Sequence, residues 1–262
     1  MSNASEARAA ARPDYGLDAP GVVRNLFLAA AAGLLLWGTA AFGLWSGALT
    51  LGPVRLVVAP MGLWAGLGCL GMAIWMVWTS RFGKLRERER LLDRISWNGA
   101  ESVLDVGCGR GLMLVGAAKR LTTGRATGVD IWQSEDLSGN RPEAPLENAR
   151  REGVSGRVAV ETADMRKLPF PDASFDAVVS SAAIHNLYDA ADRAKAIAEI
   201  ARVLKPGGRA VIDDIRHGRE YAGAFASAGC ARVARVGSPV AALLLGALTM
   251  GSLRPDTVIV TR

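Results

Sequence analysis

Charge and histidine are scarce in this chain. Of its 262 residues 21% are charged and only 2 are His, which excludes a multi-histidine metal centre. The 3 cysteines, Cys69, Cys108 and Cys230, stand far apart. Without a Cys-x-x-Cys pair they exclude a disulfide scaffold and a thiolate zinc site. Aromatic residues make up 6%, and they do not alternate with basic residues as a nucleic-acid groove requires, so no nucleic-acid partner is expected. No Gly-Lys-Ser/Thr sequence occurs, which excludes a phosphate-binding P-loop. The scarcity of charge is also local: none falls between Leu26 and Leu51 or between Leu56 and Ser80.

Each of those two stretches exceeds the ~20 residues that carry a helix across a bilayer. Between them lies Leu51-Gly52-Pro53-Val54-Arg55, a turn sequence with one charge. Trp75 and Trp78 stand at the Arg81 end, where an amphipathic ring favours the interface. The pattern predicts a hairpin of two transmembrane helices at 25–80, after an N-terminal tail at 1–24. Arg81, Lys84, Arg86, Arg88, Arg90 and Arg94 follow the second stretch and three Arg precede the first, against Arg55 alone in the turn. Positive charge stays on the cytoplasmic side, so both termini and the domain beyond are expected there, with the lipid bilayer as a partner. Gly43 with Gly47, and Gly62 with Gly66, have the four-residue spacing that lets membrane helices approach closely. Residues 81–97, with Phe82, Leu85, Leu91, Leu92 and Ile95 among charges, read as an amphipathic linker helix that lies on the membrane or caps the next domain; a solvated connector fits equally.

From residue 98 to 262 short β-branched runs alternate with helical segments. Strands are expected at 102–106, 126–131, 157–162, 175–181, 209–214, 230–236 and 256–261, and helices near 111–121, 141–152, 190–203 and 217–228. Alternation of this kind indicates an α/β fold with a parallel sheet covered on both faces. Lys205-Pro206-Gly207-Gly208 reads as the turn between the third of these helices and the following strand. Ligands of such sheets bind beyond the carboxyl ends of the strands. The first strand runs into Val-Leu-Asp-Val-Gly-Cys-Gly-Arg-Gly, 103–111, where Gly107, Gly109 and Gly111 permit a tight turn and a close ligand approach. The spacing is G-x-G-x-G with an acid, Asp105, ahead of it, which argues against a nicotinamide-dependent reductase.

These residues, with Gly-Val-Asp-Ile at 128–131, the segment 163–181 and the segment 202–214, resemble class I S-adenosylmethionine-dependent methyltransferases, especially the ubiquinone/menaquinone-biosynthesis branch. The resemblance covers about residues 98–262 and leaves the hairpin outside. It implies a Rossmann-like seven-stranded sheet whose last strand, 256–261, is antiparallel, and S-adenosylmethionine as cofactor. It further implies that Asp130, followed by Ile131, accepts both ribose hydroxyls, that Asp164 meets the adenine amino group with Met165 against the ring, and that the backbone of Gly107, Cys108 and Gly109 passes under the methionyl part, with Gly111 also among the cofactor-binding residues. Asp105 would order the turn or meet the cofactor's ammonium, and Ser180 and Ser181 would lie near the transferable methyl.

Methyl transfer needs a base only when the acceptor must lose a proton. His185, past the fourth strand, is positioned for that role or, with Asn186, bonds backbone in a loop. Asp213, Asp214 and His217 cluster after the fifth strand, but two acids and one His make a poor metal site, and none is expected. The charge-free run 239–250, too short to span a bilayer, would face membrane, form an apolar acceptor pocket, or pack on the sheet. The expected activity is transfer of a methyl group to a small-molecule or lipid-like acceptor; the alternative is a catalytically silent, membrane-tethered S-adenosylmethionine-binding or scaffold protein.

Overall fold

The computed structural model describes residues 12–133, 135–237, 239–248 and 253–262. They divide into two units. One contains Gly16–Lys84 and Glu135–Ser138; the other contains the described residues before Gly16, between Leu85 and Ser134, and from Gly139 onward.

In the smaller unit, helix α1 (Pro20–Ala41) starts with Pro in its first turn, where the missing N–H costs nothing. Strands β1 (Ala48–Leu51) and β2 (Val54–Val57) follow, then helix α2 (Ala59–Trp78). The connection between the helices keeps the expected tight turn within 51–55, at Gly52-Pro53, but flanks it with two strands that the sequence did not suggest. It is an antiparallel β-hairpin, with Ala48 opposite Val57 and Leu51 opposite Val54 around Gly52-Pro53. A short apolar run has no period that separates strand from buried helix, and Val54 and Val57 favour extended backbone. Of the two small-residue pairs expected at the seam, Gly62 with Gly66 lies in it and Gly43 with Gly47 does not. Gly43 and Gly47 lie beyond the end of α1, and nothing lies within 4 Å of where a Cβ on Gly43 would sit. The close approach is made by Gly33 instead: a Cβ there would meet the Gly62 carbonyl at 2.6 Å and Gly66 Cα at 3.0 Å. Away from the seam the apolar side chains are exposed, among them Leu28, Leu35, Trp64 and Ile74. Both helices are long and apolar enough to cross a membrane.

After a π-helical turn at Thr79–Gly83 comes α3 (Lys84–Leu92). Its Leu91 and Leu92, with Ile95 beyond it, are buried in the same cluster as Val103 and Leu114. The amphipathic helix thus caps the sheet domain.

The larger unit then alternates as the sequence suggests: β3 (Ser102–Val106), α4 (Leu112–Ala118), β4 (Arg125–Asp130), α5 (Glu143–Arg151), β5 (Val158–Thr162), β6 (Phe175–Ser181), α6 (Ala190–Val203), β7 (Leu204–Asp214), α7 (Gly218–Ser227), β8 (Arg232–Arg235), α8 (Pro239–Leu248) and β9 (Asp256–Thr261). The strands form one seven-stranded sheet in the order β5-β4-β3-β6-β7-β9-β8. Strands β3 to β7 are mutually parallel, and β9 pairs antiparallel with both β7 and β8. Alternate residues of one strand serve opposite faces: Ala177 and Val179 enter one apolar cluster, Val178 the other. That period of 2 builds a core on each side of the sheet.

Strand β7 begins five residues earlier than expected, because Lys205-Pro206-Gly207-Gly208 does not end the pairing. Leu204 is opposite Phe175, and after a register shift Arg209 is opposite Ala177; Gly207 at φ +75° supplies the bulge. In the apolar run 239–250, α8 covers 239–248 and residues 249 and 250 lie outside the described residues.

Candidate functional site

Because β3 to β7 run parallel, the residues that follow each of them gather along one edge of the sheet. Strand β3 ends in the glycine turn. Gly107 adopts φ +73°, and a Cβ on it would collide with Ala183, with Met165 Cε 3.6 Å away. Gly111 adopts φ +83°, and a Cβ there would lie 2.8 Å from Pro145 Cβ. Only glycine fits either position. Gly107 and Cys108 donate their N–H groups to the Val129 carbonyl, at 2.8 and 3.0 Å, which stitches the turn to β4. The Cys108 side chain is buried against Gly128, whose Cβ would lie 2.7 Å from Sγ. Burial pushes that thiol up, so it is held as a neutral apolar filler.

Asp105 is 1% exposed, and its Oδ2 accepts the Leu114 N–H at 2.8 Å. It orders the start of α4, one of the two roles expected of it. Burial pushes its carboxyl up to about 8, so near neutral pH it is largely protonated.

Asp130 ends β4 facing the turn. Its Oδ2 accepts the Gly109 N–H at 2.8 Å and its Oδ1 accepts the Trp132 N–H at 2.7 Å. Trp132 holds a left-handed backbone at φ +63°, and its indole donates to Thr162 Oγ1 at 2.7 Å. Ile131 beside it is 49% exposed at the rim. Asn140 Nδ2 reaches Asp130 Oδ1 at 3.3 Å and the Gln133 carbonyl at 3.1 Å. Its Oδ1 is buried and has no hydrogen-bond partner among the described residues. A buried acceptor without a donor is costly, and this one stands beside the acid expected to hold a diol. Asn140 and Trp132 were not singled out from the sequence; an Asn ten residues past a strand carries no signal until the loop folds back.

After β5, Asp164 is forked by the Arg166 guanidinium, with Nη2 2.6 Å from Oδ2, and Arg166 also reaches Asp192 at 2.6 Å. That bond holds the Asp164 carboxyl below the usual carboxylate range. Met165 comes against Gly107, as noted. After β6, Ser180 is buried and donates to the Val106 carbonyl at 2.8 Å, a structural bond between strands. Ser181, half-buried, sits opposite Asp213 on β7.

The 3-10 turn Ile184–Asn186 presents His185. Its Nδ1 lies 2.6 Å from Asp214 Oδ1, and its backbone N–H donates to Asp214 Oδ2 at 3.0 Å. Asp214 is 3% exposed and also accepts from the Tyr221 hydroxyl at 3.1 Å and the Ile215 N–H at 2.8 Å. Burial and the Asp214 charge push the Tyr221 phenol up, which keeps it a donor. A carboxylate on Nδ1 fixes the imidazole tautomer and leaves Nε2 to act; no described residue bonds Nε2. Asp213 turns instead to Thr257 Oγ1 at 2.6 Å, and burial pushes it up to about 6. His217 caps α7 at φ +68° beside Glu220. The acids and the histidine are thus dispersed, and no metal-binding group of three occurs among the described residues.

Residues 104–212 match the family described as a methyltransferase domain. The 27-O-demethylrifamycin SV methyltransferase of Amycolatopsis mediterranei is 35% identical over 162 residues, 61% of this chain and 54% of that protein. The ubiquinone/menaquinone biosynthesis C-methyltransferase of Geobacter sulfurreducens is 35% identical over 128 residues, 48% of this chain and 46% of that protein. A solved S-adenosylmethionine-dependent methyltransferase from Aquifex aeolicus shares the fold at a TM-score of 0.51 and 22% identity, covering 68% of this chain and 90% of that one. Over residues 104–212 the chain is thus similar in sequence to methyltransferase domains, and its sheet unit shares the fold of an S-adenosylmethionine-dependent methyltransferase. The chain spans about half the length of the curated relatives it matches.

Proposed function

We propose that this chain is a membrane-anchored methyltransferase that uses S-adenosylmethionine and takes a small, apolar or lipid-like acceptor. The observation that carries the cofactor assignment is the pairing of the glycine turn with Asp130, whose carboxylate closes on the Gly109 N–H at 2.8 Å. The donor set fits the cofactor. A carboxylate accepts two hydroxyls at once, and the unpartnered Asn140 Oδ1 offers a further acceptor beside it. Asp164 and Met165 supply an acid and a soft apolar surface for an adenine. Cys108 and Asp105 act from beneath, by packing and by ordering α4.

The cofactor supplies an activated methyl on a sulfonium, so the protein's work is to align the acceptor and exclude water. Where the acceptor is a hydroxyl or an acidic carbon, His185 Nε2 takes the proton while Asp214 holds Nδ1 and stabilises the resulting imidazolium. Ser181 lines the same rim.

The hairpin supports the membrane reading. Two apolar helices joined through the Gly33–Gly62–Gly66 seam leave their large side chains outward, an arrangement suited to lipid rather than water. Positive charge after α2 favours the cytoplasmic side for both flanks of the hairpin and for the catalytic domain. On α8, Val240 and Leu243 are 65% and 72% exposed, which supports an apolar acceptor reaching the site from the bilayer.

The test is incubation of the full-length protein and native membranes with isotopically labelled S-adenosylmethionine, followed by mass spectrometry of the product. A labelled apolar or lipid-like compound is expected. Labelling of polar solutes alone refutes the acceptor class, and binding without transfer identifies a silent cofactor-binding scaffold. Asp130→Ala is expected to weaken cofactor binding by about 2–4 kcal/mol, the worth of charge-assisted bonds; unchanged affinity in calorimetry refutes its role.

A further inference from the structure

Arg110, the one cation in the glycine turn, is 8% exposed and does not face solvent. Its Nε donates to the Asp14 carbonyl at 2.8 Å and its Nη2 to the Asp14 carboxylate at 2.7 Å. Its Nη1 donates to the Gly139 carbonyl at 3.0 Å, in the loop that carries Asn140 back to Asp130. Gly139 adopts φ +65°, a backbone that favours glycine, and a Cβ there would press on that guanidinium. Asn148 of α5 completes the arrangement. It exchanges hydrogen bonds with Asp14 N–H and C=O at 2.9 and 2.8 Å and donates to the Arg110 carbonyl at 2.9 Å.

The next residue is bound as firmly. Tyr15 is 6% exposed. Its hydroxyl donates to Glu152 Oε1 at 2.5 Å, and the Arg88 guanidinium lies 5.7 Å from its ring centroid and donates to both Tyr15 Oη and Glu152. Asp14 and Tyr15 precede the two apolar helices in sequence, whereas Arg88 follows them. The hairpin is therefore an insertion into the methyltransferase domain, and the chain's points of exit and re-entry are bonded to each other.

We propose that Asp14-Tyr15 is a strap that fixes the cofactor turn, with Arg110 as a positioning residue linking the strap, the turn 107–111 and the segment Gly139-Asn140. This rests on the cofactor reading above and adds to it that the site is incomplete without a segment N-terminal to the hairpin. The reason is mechanical. Gly109 N–H and Asp130 Oδ2 meet across two loops, and the Arg110 guanidinium, carried by the first loop, bonds the Gly139 carbonyl of the second and the Asp14 carbonyl of the strap.

The experiment uses full-length protein in detergent or nanodiscs, titrated calorimetrically with S-adenosylmethionine and its demethylated product. Asp14→Ala is expected to weaken binding about tenfold, the worth of one charge-assisted hydrogen bond, and Arg110→Ala by more, since it removes three. The double variant should be little worse than Arg110→Ala alone, because that substitution already removes the bond to the Asp14 carboxylate together with those to the Asp14 and Gly139 carbonyls. Asp14→Asn, which keeps an acceptor and the backbone bonds, should recover most of the affinity. Hydrogen exchange at 107–111 should rise in Asp14→Ala. Should Arg110→Ala fail to fold, Asp14→Ala and Tyr15→Phe still decide the matter. Unchanged affinity in those two, with Asp130→Ala still defective, overturns the strap and spares the cofactor reading. Absence of binding by the unaltered protein overturns both.

Discussion

The two units of this protein place leucine under opposite rules. In the sheet domain Leu104 and Leu114 are 0% exposed, whereas in the helical hairpin Leu28 and Leu35 are 62% and 67% exposed. The first arrangement is what water imposes on an apolar side chain. The second is stable where the surroundings are themselves apolar, and there close backbone packing through glycine replaces the hydrophobic effect as the force between helices. The comparison teaches that apolar content alone does not identify a core: the difference lies in whether large or small residues face the neighbouring element.

Four changes would sharpen or break that comparison. The largest effect belongs to the chemistry, which the comparison confines to the sheet domain. His185→Gln should lower kcat by roughly 10²–10⁴, the range for a positioned base, with little change in cofactor affinity. Retained turnover would assign the residue to the loop alone. Next, Leu114→Ala should cost about 2–5 kcal/mol in denaturant unfolding, as buried leucines do, whereas Leu35→Ala should leave the midpoint nearly unmoved. Equal losses would mean that the hairpin's outer face is covered. Third, Leu35→Arg should cost about 2.5–3.5 kcal/mol of bilayer insertion, the price of a cation in mid-membrane. It is read as protein released by alkaline washing of membranes. If the unaltered protein is already released, the membrane reading fails.

The last effect concerns pH. Asp105 has an unfolded value of 3.8 and is pushed up to about 8 by burial in the fold. Between those values the unfolded chain binds fewer protons than the native one, so stability falls as pH rises from about 4 towards 8 and levels off above that. Asp105→Asn keeps the acceptor for Leu114 and should flatten the slope in thermal melts recorded across that range. An unchanged slope would place its origin elsewhere.

Much of the sheet was legible in the sequence because local pattern decides it. Strands 102–106, 175–181 and 256–261 and the helix 190–203 fall where β-branched runs and helical spacing put them. Glycines at 107, 109 and 111 mark a turn that no other residue can make. The β-hairpin between the apolar helices was not legible, because a continuous apolar run has no period to read. Nor was the bulge at Gly207, since a Pro-Gly-Gly sequence reads as a turn whether or not a neighbouring strand continues to pair with it. The seam shows the same limit in part: spacing offered Gly62 with Gly66, which do lie in it, and Gly43 with Gly47, whereas the partner of the first pair on the other helix is Gly33.

The sequence by itself determined the alternation of strands and helices, the glycine turn, the acid that ends the second sheet strand, and the two charge-free helices, because each depends on residues within one turn or one strand of each other. The tertiary structure alone decided that Asp214 holds His185, that Asn140 turns its amide to Asp130, and that Asp14 reaches Arg110 from 96 residues away. These are contacts between side chains distant in sequence. They depend on which strands lie side by side and on where loops close, and strand order is a property of the whole chain's packing rather than of any segment within it.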